Sequence, residues 1–158
     1  KYTAIISISF FLSIVLLNCS KKVIEDPVIE GWRITGSNPD SYTLGKEEDN
    51  YNSHSVYYLR SKVNVDSGFG AAYKNKLPDD YLGKRVMLTC FIKTKNIDSA
   101  AGMWMRVDGG PENKSLSFDN MSNRPIRGTS DWKKYEIVLD VPKESNGIIY
   151  GVAQWLYF

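Results

Sequence analysis

Arg85-Val-Met-Leu-Thr-Cys-Phe-Ile-Lys93 alternates without a break. Val86, Leu88, Cys90 and Ile92 fall on one side of an extended chain, and Arg85, Met87, Thr89, Phe91 and Lys93 on the other, because successive strand side chains point to opposite faces. The first row is wholly apolar and the second is mixed, as in a sheet with one face on a core and one toward water. Lys133 to Val141 repeats the pattern: Tyr135, Ile137, Leu139 and Val141 line up opposite Lys134, Glu136 and Asp140. Cys90 stands in the apolar row, so it reads as a buried core thiol rather than a reactive one.

On both sides of these stretches the chain reads as short strands separated by turn residues. They are Gly31–Thr35, Ser55–Ser61, Phe69–Tyr73, Gly102–Asp108, Ser115–Asp119 and Gly147–Gln154, with the first alternating stretch running Arg85–Lys95. Gly109-Gly-Pro111 joins two of them, and Pro142 ends another before Asn146-Gly147 starts the next. Leu77 to Gly83 predicts one turn of helix, and Lys46-Glu-Glu-Asp-Asn50 predicts a solvated loop. No repeat, low-complexity tract or amphipathic helix interrupts this pattern. The expected fold class is all-β, one antiparallel two-sheet β-sandwich.

The amino terminus carries a different signal. Thr3 to Leu17 has no charge and is rich in Ile, Leu, Val and Phe. As helix it would rise about 22 Å, short of a membrane's hydrocarbon core, so an export signal is expected rather than a span. Leu16-Leu17-Asn18-Cys19 resembles a bacterial lipobox. That resemblance implies a signal helix and lipoprotein signal peptide over residues 1–18, lipidation of Cys19 with a tether over 19–29, and a globular domain over 30–158. The tether from Ser20 to Pro27 would reach at most about 28 Å. Removing residues 1–18 takes one base, Lys1, and no acid, leaving 19 bases against 18 acids. Such a balance offers no basic footprint, so no nucleic-acid partner is expected. With Cys19 acylated, Cys90 has no partner and no internal disulfide forms.

Several motifs carry a family resemblance. Gly31-Trp32, Tyr42, Ser53-His54-Ser55, Gly83-Lys84-Arg85, Ile92-Lys93-Thr94-Lys95 and Thr129-Ser130-Asp131-Trp132-Lys133-Lys134-Tyr135 occur in this order. Together they resemble the galactose-binding-like jelly roll of many bacterial carbohydrate-binding modules. More narrowly, Gly102-Met-Trp-Met-Arg-Val-Asp-Gly109, Phe118-Asp-Asn-Met121, Arg124-Pro-Ile126 and Gly128-Thr-Ser-Asp-Trp132 resemble an uncharacterised set of bacterial jelly-roll modules. In that set the module stands alone or is appended to regulators and hydrolases. The resemblance covers about residues 30–153. It implies a jelly-roll sandwich and says little of function, because one fold hosts many activities. Such modules finish with a Gly-containing turn and a strand bearing an aromatic and an acidic residue. Here the chain ends Ala153-Gln-Trp-Leu-Tyr-Phe158, so either the final strand is missing or these residues form one.

The residues best equipped for recognition lie in the Gly102 strand. Met103, Met105 and Val107 make a core row, while Trp104, Arg106 and Asp108 make the other. An indole stacks on the apolar face of a sugar ring, and a guanidinium and a carboxylate bridge adjacent hydroxyls. Asp119, Asn120 and Arg124 join this ligand-binding set if their loop folds over it. A structural alternative stands beside it: Arg106 and Asp108 pair with each other or with Asp119, and Trp104 covers the sheet. Trp132, after a turn made by Asp131, is expected to plug one end of the sandwich, and Trp32 to pack at its base.

Catalysis has little support. His54 is the only histidine, and no nucleophile elbow, zinc-binding helix motif, phosphate loop or paired cysteines are present. No enzyme, no metal ligand and no cofactor are expected; structural calcium is a weaker alternative, since no Asp-x-Asp-x-Asp spacing occurs. The function expected from the residues and the resemblance is a membrane-anchored lipoprotein whose non-catalytic domain binds a carbohydrate or other polar ligand. Its expected place is the cell envelope, lipid-anchored on the outer membrane or periplasmic face. Its expected partners are the membrane through the anchor, a glycan and an envelope protein. The alternative is a structural or protein-interaction module of that envelope, with a small hydrolase third.

Overall fold

The computed structural model describes residues 5–9, 28–62 and 67–156, with 5–9 and 28–29 described as backbone. Ten strands follow in chain order: β1 (Ile5–Ser9), β2 (Val28–Ile29), β3 (Trp32–Gly36), β4 (Tyr42–Tyr51), β5 (His54–Ser61), β6 (Gly68–Lys76), β7 (Lys84–Gly109), β8 (Lys114–Asp119), β9 (Ile126–Val141) and β10 (Ser145–Leu156). Every pairing is antiparallel. The order across the sheet is β2-β3-β6-β10-β7-β1-β5-β4, with β8 and β9 also on β7. The single helical turn expected near Leu77 is a 3-10 turn at Asp79–Tyr81.

Strand β7 belongs to both halves of this array. Its first half pairs with β1 and β9, and its second half with β10 and β8. The ends of the array meet across the interior: Trp32 of β3 lies 5.9 Å from Tyr57 of β5, ring centre to ring centre. A Cβ on Gly70 of β6 would collide with the Tyr42 ring of β4. Two layers facing each other in this way are consistent with the expected β-sandwich.

The core shows how β7 manages two sheets. Cys90, Ile92 and Thr94 point inward in its first half, and Ile97, Ala101, Met103, Met105 and Val107 in its second. The inward apolar row falls on even positions before residue 96 and on odd ones from Ile97 onward, with Ala100 also buried at the crossover. The change occurs where register with β9 breaks repeatedly between Ile92 and Ala101. Asn96 sits there with φ of 55°, a left-handed conformation that Asn tolerates better than most residues. A bulge that adds a residue to one strand bends it and reverses which side chains face the core. The sequence predicts two strands, Arg85–Lys95 and Gly102–Asp108; the structure joins them, because the intervening residues stay paired although their alternation lapses. Thr94, 1% exposed, is accommodated by a 3.0 Å hydrogen bond between its hydroxyl and that of Ser130.

Other expectations change in place. Lys46 to Asn50, expected as a loop, lies within β4, where pairing with β5 is interrupted between Lys46 and Asn50 and Glu48, Asp49 and Asn50 face solvent. Ile5–Ser9, expected inside a signal helix, form β1, in which Ile6 pairs with Leu59 on one side and Thr94 on the other. The run Ile-Ile-Ser-Ile-Ser is rich in β-branched residues that suit a strand as well as an apolar helix. Cys19 and the tether at 20–27 lie outside the described residues. Ala153 to Leu156 extend β10, pairing with β6 and β7. Cys90 is buried as expected, and Trp32 is 1% exposed.

The base of the domain is clamped by charge and rings. Glu30 and Gly31 make the β2–β3 turn with positive φ, and Glu30 accepts hydrogen bonds from Lys46 of β4, at 2.6 Å, and from the hydroxyl of Tyr57 on β5. These bonds hold the Glu30 carboxyl below its ordinary range. The Lys74 ammonium of β6 lies 4.9 Å from the Trp32 ring centre, and burial lowers its pKa.

The bulge gives a stability test. Asn96→Val forces a β-branched residue into a left-handed conformation and is expected to cost roughly 1–2 kcal/mol. Asn96→Gly, free of that penalty, is expected to stay within about 0.5 kcal/mol of the parent. Urea midpoints of the three proteins measure the difference.

Candidate functional site

The second half of β7 presents Trp104, Arg106 and Asp108 on the face opposite Met103, Met105 and Val107. Trp104 pairs across β10 with Gly151, which pairs with Tyr73 of β6. Because Gly151 carries no side chain, nothing of its own stands between the two rings, whose centres are 6.4 Å apart at 44°. Glycine is also required there by the backbone, since an added Cβ would lie 1.9 Å from the Ala72 carbonyl oxygen. One step along, Arg106 lies between Phe118 of β8, 53% exposed, and Ile149 of β10. The face is therefore a half-buried aromatic pair flanked by a guanidinium and an exposed phenyl ring.

Asp108 is almost fully buried, and Arg106 balances it. The guanidinium makes a two-pronged contact, Nε to Oδ1 at 2.8 Å and Nη2 donating to Oδ2 at 2.9 Å. Planar forks of this kind hold a carboxylate in a fixed plane. Asp108 also lines a cleft of about 290 Å³ with Asn75, Lys76, Asn113, Asn146 and Ile148. At its lip the Asn146 amide donates to Asn113 Oδ1 at 2.7 Å and to the Gly110 carbonyl at 3.1 Å. Aromatic walls, one half-exposed guanidinium and carboxamides beside a cleft are suited to orienting a small molecule.

Asp119, Asn120 and Arg124 form a separate unit. In register Asp119 faces Met105, an inward position, whereas its neighbour Phe118 faces Arg106. Asp119 pairs with Arg124 at 2.5 Å and accepts the Met121 N–H at 2.8 Å. Asn120 accepts the Ser122 N–H at 3.1 Å. These bonds fix a tight turn whose Met121 takes φ of 59° yet is 2% exposed, its sulfur accepting the Met103 N–H at 3.3 Å. The turn abuts β7 at Gly102, whose absent side chain would touch Met121. The six residues chosen from sequence thus divide into a sheet face and a turn that packs beside it. Tyr73, Asn75, Phe118 and Asn146 were missed, because strand partners cannot be read from alternation.

Trp132, expected as an end plug, is instead half-buried and stacked on Tyr51, with ring centres 4.4 Å apart at 20°. Asp131 does accept the Trp132 N–H, at 2.9 Å, as its turn role requires. Among the described residues no three His, Cys, Asp or Glu converge as metal ligands, and no helix is long and apolar enough to cross a membrane.

No family model matches the chain. It is similar to YbfP of Bacillus subtilis (strain 168), an uncharacterised HTH-type transcriptional regulator, with 44% identity over 126 residues, 78% of this chain. That relative is a regulator. The chain spans 42% of its length. In structure it is similar to the enzymatically active domain of tailspike protein 4 from bacteriophage CBA120, with a TM-score of 0.58 and 14% identity over 80% of this chain and 17% of that one. At so low an identity the tailspike likeness speaks to fold alone.

The regulator overturns three expectations. A lipid-anchored lipoprotein with a signal peptide that binds carbohydrate, its envelope-module alternative and the exclusion of nucleic acid as a partner do not fit a regulator relative. They rested on an apolar run of which Ile5–Ser9 form strand β1, and on the charge balance of this chain alone, which spans 42% of that relative.

The Asp119 turn yields a pH prediction. Burial works to raise the Asp119 pKa, but the Arg124 guanidinium and the Met121 N–H outweigh it and hold the group below its ordinary value. Its stabilising contribution is therefore complete above the unfolded value of about 3.9, and is lost as pH falls through the lower folded value. Asp119→Asn is expected to cost roughly 1–3 kcal/mol at neutral pH. That gap should close as pH drops below about 4, as followed by urea denaturation of both proteins across pH.

Proposed function

We propose that the chain is the regulatory module of a helix-turn-helix transcription regulator, a jelly-roll sandwich of galactose-binding-like class that receives a small effector. The observation that carries this is the 44% identity to a regulator over most of the chain. A helix-turn-helix needs two α-helices, and the elements among the described residues are strands and two 3-10 turns. The DNA-reading motif named for the relative therefore belongs to the part of the regulator this chain does not match. Nucleic acid is then a partner of the whole assembly, contacted through that part, and this module supplies the input.

The effector site in this proposal is the β7 face. Trp104 and Tyr73 offer flat apolar walls, Arg106 offers donors not consumed by Asp108, and Asn75 and Asn146 offer amides at the adjoining cleft. Asp119, Asn120 and Arg124 act one step back, holding the turn that packs against Gly102 and so the edge of the face.

A thermal-shift screen of effector candidates, followed by calorimetry on any hit, tests this. Trp104→Ala is expected to weaken binding by tenfold or more, about 1.4 kcal/mol, whereas Trp132→Ala should bind like the parent. Replacing the matched region of the Bacillus subtilis regulator with this chain should make a reporter respond to the same effector. Sequence-specific DNA binding by this chain alone, or equal losses from the two tryptophan variants, would sink the proposal.

A further inference from the structure

Strand β1 fills a position that no neighbouring segment dictates. It lies between β5 and β7, pairing with both at all five of its residues: Ile5 to Ser9 against Arg60 to Val56 on one side, and against Lys95 to Phe91 on the other. Among the described residues β5 and β7 have no register with each other. Adjacent strands lie about 4.8 Å apart, so the gap is one strand wide, and only an extended segment can satisfy the backbone groups on both of its sides. Leu59 and Ile92 are fully buried at its rims, so an unfilled gap would also open the core to water.

We propose that the space between β5 and β7 is a strand-acceptor slot, and that it takes Ile5–Ser9 of a second copy of this chain, giving a strand-exchanged dimer. Two observations point there, independent of the effector site. The pairing partners of β1 are β5 and β7 alone, so a segment from another copy reproduces the same pairing residue for residue. Positions 10–27 separate β1 from β2, a connection longer than most within a domain. Fully extended it reaches about 60 Å, enough to enter a neighbouring molecule. Reciprocal exchange closes on itself with two-fold symmetry and leaves neither slot open. Because exchanged and unexchanged forms share their contacts, concentration decides between them.

The test uses residues 1–158 with Cys19→Ser, since Cys90 is buried. One copy carries Ser7→Cys and a mass-distinct copy carries Tyr58→Cys, a pair directly opposed in the β1–β5 register and so within disulfide reach. The two are mixed in urea, refolded at low and high concentration, and oxidised. A double variant carrying both substitutions in one chain reports whether β1 enters the slot at all. A covalent heterodimer whose yield rises with concentration is the expected result. Cross-linking within the double variant, with no heterodimer from the mixture at any concentration, overturns the exchange. Absence of cross-linking in both samples overturns the slot itself.

Discussion

Twenty-six consecutive residues of β7 would run about 86 Å if straight, while a domain of this size has a radius of gyration of about 15 Å. The strand has to bend, and the bend has to leave a continuous interior on both sides of it. The bulge at Asn96 meets both demands by passing the inward role from even to odd positions. From that follow the two sheets, the burial of Cys90 and Ile92 beneath one and of Met103 and Val107 beneath the other, and the outward aim of Trp104 and Arg106. A β7 that kept one parity throughout would turn Trp104 inward and Met103 out.

Alternation was legible in the sequence wherever one face of a strand meets water. Arg85–Lys95, Lys133–Val141 and the Met103, Met105, Val107 row could be assigned because polar and apolar residues take turns there. It failed at residues 96–101, where Ala and Ser are neutral to facing, and at Lys46–Asn50, where a charged run hides the solvent-facing end of a strand. The opening apolar run shows a different limit. Hydrophobicity marks residues that leave water but does not say whether they enter a bilayer or a sheet, and only pairing with Leu59 and Thr94 decides that for Ile6.

The candidate site was half legible for the same reason. Trp104, Arg106 and Asp108 share a face by simple counting, and their placement needs no knowledge of neighbours. Tyr73 and Phe118 complete that face only through cross-strand register, which depends on the whole topology. Asp119 and Arg124 leave the face despite their nearness in sequence, since one step past Phe118 the register already faces inward-pointing Met105. The Arg106–Asp108 fork serves packing and recognition together: it neutralises the buried carboxylate that lines the cleft and fixes the plane of the guanidinium paired with it.

The bulge in β7 also bears on how such a chain can drift in length. Between residues 96 and 101 the ladder is already irregular, so one added or deleted residue there could be absorbed by a slightly different kink. The same event between 103 and 108 would exchange methionines for a tryptophan, an arginine and an aspartate throughout the interior. Length variants of this domain should therefore gather at the kink and be purged from the segment that follows it, which makes that short segment an evolutionary ruler for the whole sandwich.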